Sequence, residues 1–184
     1  MSGRGRELLR LLWIVPPTLT FTSLVGTINV VSGSSMQPAL NPEGPYQRDV
    51  VLVDRWSIVA RHRYRRGDVV SLRSPLNPDL IIVKRILALG GDTVETLPPY
   101  PDKEVRIPDG YAWVEGDEPF RSRDSNHFGP VPLGLIESRI ALLLWPSKRL
   151  GPVPQRVETK RVHIENPREK RRRLMINALK DHVG

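Results

Sequence analysis

The sequence predicts a mainly β, antiparallel domain carried behind one hydrophobic N-terminal helix. Three observations lead there. Short β-branched runs recur along the chain, proline and glycine (18 and 14 of 184 residues) fall between them, and one long uncharged segment precedes them all. Short runs bounded by turn residues read as strands, and a series of them favours a folded antiparallel sheet. Hydrophobic residues make up 39% of the chain and charged residues 26%, so a buried core is available. The size suits one domain plus appendages.

The N-terminal residues 1–10 hold Arg4, Arg6 and Arg10 against a single acid, Glu7. Residues 11–31 carry no charge, and between Arg10 and Arg48 only Glu43 does. At ~1.5 Å per residue such a segment can cross a hydrocarbon core of ~30 Å. Pro16-Pro17 and Asn29 dilute its hydrophobicity, and the proline pair would kink a helix. A cleaved signal peptide fits less well, because the apolar run is long. We therefore expect a retained single-pass anchor over 11–31, with the basic N-terminus on the matrix or cytoplasmic side.

Residues 32–154 read as the β domain. Asp49–Asp54 is a compact β-rich run, and the turn Arg66-Gly67-Asp68 feeds Val69–Leu72. Leu80–Leu89 is a longer apolar strand closed by Gly90-Gly91-Asp92. Val105–Val114 contains Pro108-Asp109-Gly110 and reads as a hairpin, and Ile140–Trp145 is a last strand ended by Pro146. Residues 155–184 are polar and basic, with a short helix expected over 165–179. This tail reads as a solvated or lipid-apposed appendage, so truncation after Gln155 is expected to spare the chemistry.

The net charge of +8 raises nucleic acid as a partner. Much of that charge is local, at Arg61, Arg63, Arg65 and Arg66 and again at Arg168–Arg173, and no nucleic-acid-binding motif accompanies it. No nucleic-acid partner is expected. The absence of cysteine excludes disulfides and thiol catalysis. There is no glycine-rich phosphate loop and no paired histidine motif, so neither cofactor nor metal is expected.

Two residues stand out chemically. Strand alternation puts Lys84 on one face with Ile82 and Ile86, where desolvation would lower the amine's pKa and free a base near neutral pH. The plain alternative is an edge-strand lysine reaching water. Ser35 follows Gly33, which permits close backbone approach, and precedes Met36 and Pro38. Its neighbouring amides could stabilise an oxyanion. A third constellation, Gly116-Asp117-Glu118 with Ser122-Arg123-Asp124-Ser125-Asn126-His127, reads as a structured polar loop. There Ser122 could orient an amine and Asp124 could face a cation.

Four motifs occur together: Ser35-Met36-Gln37-Pro38, Arg66-Gly67-Asp68-Val69-Val70, Lys84-Arg85 with Gly91-Asp92, and Gly116-Asp117 with Ser122-Arg123-Asp124-Ser125. In that order they resemble the type I signal peptidases, over roughly residues 31–146. Ser71–Pro78, Trp113–Asp117 and Asp124–Pro130 make the likeness strongest to the mitochondrial inner membrane branch of the family. The resemblance implies a signal-peptidase-like β domain, with Ser35 as nucleophile and Lys84 as general base. It implies Ser122 as a lysine-positioning hydroxyl and Asp124 as a structural acid. It further implies precursor proteins with cleavable sorting peptides as substrates, and a related catalytic subunit as heterodimer partner. The catalytic domain would face the intermembrane space, with lipid nearby.

Two departures matter. Gly33 stands where some bacterial members have a serine that helps the oxyanion hole. Asn126 stands where many have an arginine, leaving a salt bridge at Asp124 in question. Three rivals remain: a bacterial-type signal peptidase, an inactive scaffold subunit, and a Ser–His–Asp hydrolase using His127. Loss of Ser35 or Lys84 would mark an inactive scaffold, and both are present.

Overall fold

The computed structural model describes Trp13, residues 26–156 and 160–166, and residues 168, 169, 171–173, 175 and 176. Its regular structure is mainly strand, with ten strands among the described residues: β1 (Gly26–Val30), β2 (Val50–Asp54), β3 (Val69–Arg73), β4 (Ile81–Leu89), β5 (Thr93–Glu95), β6 (Glu104–Arg106), β7 (Tyr111–Glu115), β8 (Val131–Pro132), β9 (Ile136–Trp145) and β10 (Val162–His163). Two single-turn helices intervene, α1 (Trp56–Val59) and α2 (Ser125–Phe128). A seven-stranded sheet runs β1-β2-β9-β3-β4-β7-β8, and a three-stranded sheet runs β10-β5-β6. Every pairing is antiparallel. The mainly β expectation holds.

Three apolar clusters fill the interior. One gathers Met36, Leu40, Val51, Val53 and Leu143, a second Val70, Leu72, Ile86 and Val114, and a third Val94, Ile107 and Trp113. The β-branched residues of β2 and β3 supply the first two because alternate positions on a strand face opposite ways.

Three expectations are corrected. The anchor was drawn through residue 31, but Gly26–Val30 is strand β1, laddered to β2 from Gly26↔Asp54 to Val30↔Val50. A paired strand satisfies its amides on a neighbour and cannot be the end of a helix. The rest of the proposed anchor, apart from Trp13, lies outside the described residues, among which no helix is long and apolar enough to cross a membrane.

The hairpin expected over 105–114 does not form. Strand β6 pairs with β5 and strand β7 with β4, so Pro108-Asp109-Gly110 carries the chain from one sheet to the other. Burial of Trp113 and Val114 beside β4 outweighs the local turn preference. Nor is the tail a mere appendage. Strand β10 pairs with β5, and Glu165 accepts hydrogen bonds from Arg106 and Arg173. The described residues between 168 and 176 are helical, so the helix expected over 165–179 is met there but not at residues 165 and 166.

A polar clamp fixes the loop between β1 and β2. Asn41 Nδ2 donates to the carbonyls of Val31 (3.0 Å) and Gly33 (3.1 Å). Asn41 and Asp49 exchange backbone-to-side-chain bonds at 2.7 and 2.8 Å. Arg149 Nη1 donates to both Asp49 oxygens, at 2.9 and 2.7 Å, and Nη2 donates to the Ala39 carbonyl at 2.6 Å. Asp49 is only 1% exposed, so its charge depends on that guanidinium. Arg149→Ala is expected to cost about 3 kcal/mol by urea unfolding. A loss well below about 1 kcal/mol, as for a surface pair, would refute the clamp.

Candidate active site

The strand order decides the fate of Lys84. Strand β4 is an interior strand between β3 and β7; the ladder to β7 begins at Arg85, and Lys84 itself is laddered on the β3 side. Its ladder partner Val70 is fully buried, and Ile82 and Ile86 both pack in the second cluster. Lys84 is 3% exposed. Desolvation holds its pKa below the ordinary lysine value, and the negative charge of Asp124 only partly opposes the shift.

Ser35 is brought to that amine by the turn after β1. Gly33 has φ +98°, a conformation that side chains rarely adopt, and it starts the bend. Met36 and Leu40 then anchor the turn in the first cluster, with Leu40 N donating to the Met36 carbonyl at 2.8 Å. The result is a distance of 2.9 Å between Lys84 Nζ and Ser35 Oγ. With the amine neutral, the same contact lets the serine hydroxyl donate to Nζ. From the other side Glu118 N donates to the Ser35 carbonyl at 3.1 Å. Gly116 lies so close that a Cβ there would overlap both the Ser35 carbonyl and Ser122 Oγ.

Ser122 and Asp124 reach the same neighbourhood. Ser122 Oγ is buried and has no hydrogen-bond partner among the described residues. Asp124 caps α2 through Asn126 N (3.1 Å), accepts from Asn126 Nδ2 (3.1 Å), and accepts from Gly116 N (3.0 Å). Among the described residues no direct salt bridge to Asp124 replaces the arginine missing at position 126. Asn126 instead links Asp124 to Glu115, its Nδ2 also donating to Glu115 Oε1 at 3.1 Å. His127 is exposed, while the bonds to Asp124 among the described residues come from backbone amides and Asn126 Nδ2, so His127 does not pair with Asp124 there.

Arg85, next to Lys84, makes a buried bidentate pair with Asp117, at 2.9 and 2.7 Å. It also donates to the carbonyls of Gly67 and Pro154. Both motifs were visible in the sequence, but their pairing was not. Sequence reasoning also missed the clamp residues and Glu115, since an acid at a strand end ordinarily faces water.

Ser35 and Lys84 open onto a groove of about 700 Å³. Residues 29–33 line one side and residues 80–83 another, while Val51, Val53 and Ile140 add apolar surface. A serine hydroxyl beside a desolvated amine, opening onto a groove, is an arrangement capable of attack on a carbonyl carbon.

One consequence concerns stability. The unfolded chain protonates Lys84 up to about pH 10.5, whereas the folded protein releases that proton at lower pH. Lys84 therefore destabilises the fold fully below its lowered pKa and not at all well above 10.5. Lys84→Met is expected to raise the melting temperature at neutral pH, with the gain vanishing toward about pH 11. Equal melting temperatures at neutral pH would argue against a desolvated amine.

Comparison with known proteins gives the family of the chain. Residues 6–99 match the family model described as signal peptidase, peptidase S26. Mitochondrial inner membrane protease subunit 2 of Danio rerio is 47% identical over 135 residues, covering 73% of each chain. The human protein of that name is 42% identical over 155 residues, covering 84% of this chain and 87% of its own. The Saccharomyces cerevisiae protein is 39% identical over 138 residues, covering 74% and 78%. On the family match and on identity of this extent, the chain belongs to the peptidase S26 family of signal peptidases.

Proposed function

We propose that this protein is a membrane-anchored serine endopeptidase that removes sorting peptides from precursors delivered to the mitochondrial intermembrane space. The observation that carries the reading is the 2.9 Å approach of Ser35 Oγ to Lys84 Nζ, an amine 3% exposed. The names of the relatives support the compartment, and the family supports the reaction class.

The chemistry follows from the groups present. Ser35 Oγ attacks the scissile carbonyl carbon while its proton passes to Lys84 Nζ. Backbone amides beside Ser35 receive the developing oxyanion, since Gly33 offers no hydroxyl. The ammonium then gives its proton to the departing amine, leaving an acyl ester on Ser35. Water, deprotonated by the same amine, releases the acid and restores the serine. Ser122, a buried hydroxyl in want of a partner, positions the amine during these transfers. Asp124 holds the loop and favours the ammonium once it forms. The peptide lies extended between residues 29–33 and 80–83, with main-chain bonds for affinity and the apolar lining for selectivity. A related catalytic subunit in the same membrane completes the assembly.

Ser35→Ala and Lys84→Ala should each reduce turnover by about 10³-fold or more, and the double variant should be little worse than either. Lys84→Arg should also be inactive, because guanidinium does not release its proton. Mapping precursor N-termini in membranes carrying each variant is the test, and substantial processing by Lys84→Arg would refute the role.

The pH profile gives an independent check. Activity requires neutral Lys84, so it should fall as pH drops through the lowered lysine pKa. This acid limb should survive in His127→Ala; its disappearance there would transfer the base to histidine.

A further inference from the structure

We propose that Arg161, from the C-terminal segment, is a positioning residue for the Ser35–Lys84 pair, acting through Glu115, Asn126 and Asp124. The inference rests on the serine–lysine reading above. It starts from an electrostatic problem. One amide nitrogen, Asn126 Nδ2, donates both to Glu115 Oε1 and to Asp124 Oδ1, at 3.1 Å each. Two carboxylates are thus drawn to a single atom in a site where Glu115 is 2% and Asp124 3% exposed. Like charges so close and so dry repel strongly unless a cation compensates them.

That cation comes from the tail. Arg161 Nη2 donates to Glu115 Oε2 at 2.7 Å, and Arg156 Nη1 lies 3.5 Å from the same oxygen. Trp113 Nε1 fills the remaining need by donating to Oε1 at 3.0 Å. Arg161 is itself fixed, its Nη1 donating to the Glu95 carbonyl and its own carbonyl accepting from Glu95 N, both at 2.8 Å. Arg156 also reaches the Gly116 carbonyl at 3.3 Å, in the residue packed against the Ser35 carbonyl.

The path is therefore continuous. Arg161 balances Glu115, and Glu115 holds Asn126. Asn126 then orients Asp124, whose charge acts on Lys84. The tail belongs to the machinery, contrary to the expectation that truncation after Gln155 spares it.

The experiment uses the full-length protein in detergent and an internally quenched peptide that wild type cleaves. Arg161→Ala should lower kcat roughly tenfold with KM near wild type, because the reacting groups are misplaced while the groove is intact. Loss of one positive charge leaves Glu115 and Asp124 unbalanced and favours protonated Lys84, so the acid limb should move to higher pH. Adding Glu115→Gln to Arg161→Ala should restore most of the rate and return the limb, and Arg161→Lys should rescue in part. An unchanged kcat and acid limb in Arg161→Ala would overturn the proposal. So would a rate loss matched by loss of folded protein, with the limb unmoved and no relief from Glu115→Gln. Cleavage of the same peptide by Ser35→Ala would instead strike the serine–lysine reading itself.

Discussion

Much of this structure depends on one constraint, the keeping of a lysine amine dry inside a sheet. Burial of a lone ammonium is costly, and the group relieves the cost by giving up its proton. Lys84 sits on an interior strand, laddered to the fully buried Val70 of β3, and is itself almost fully buried, so that cost applies to it. What remains is to give that amine one useful neighbour. The loop after β1 does this, held by the Asn41–Asp49–Arg149 clamp at one end and by Glu118 N at the other. Two independent attachments fix a serine that no regular element contains.

Lys84 and Arg85 show how side-chain chemistry divides adjacent positions. Both are almost fully buried. The lysine can lose its proton, and its environment encourages that. A guanidinium cannot, so burial demands an anion, and Asp117 supplies both oxygens. The pair ties β4 to the segment that leads from β7 to Ser122. A structural cation and a candidate base thus sit side by side without competing for one carboxylate, because Asp117 engages the first and Asp124 acts on the second.

The sequence revealed the strands that bury β-branched runs, namely β2, β3, β4 and the latter half of β9. Ser35 and Lys84, which the structure brings within 2.9 Å, were singled out because four short motifs occur together in family order, the strand lysine alone being an ambiguous signal. Strand β10 was hidden because two residues, Val162-His163, carry no periodicity and gain stability only from β5. The 105–114 segment misled because a Pro-Asp-Gly turn signals a reversal but says nothing about which strand is waiting beyond it. Glu115 and Arg161 were invisible for a similar reason. They lie 46 positions apart, and only the return of the tail to the second sheet makes them partners.

The same topology bears on where the proposed reaction occurs. Strand β1 begins at Gly26, is laddered to β2 along its length, and lines the groove through Asn29 and Val30. From Gly26 to Ser35 the chain cannot span more than about 30 Å even fully extended, and the bend at Gly33 shortens it. On the proposed reading the polypeptide leaves the membrane just before β1. The nucleophile is then confined to a shallow layer above the bilayer by covalent geometry alone. A cleavage site held at that height by its own membrane segment meets Ser35 without diffusing away from the surface, whereas a sequence-matched peptide in bulk solvent does not. Selectivity for membrane-tethered precursors then comes as much from this short, stiff connection as from the apolar lining of the groove.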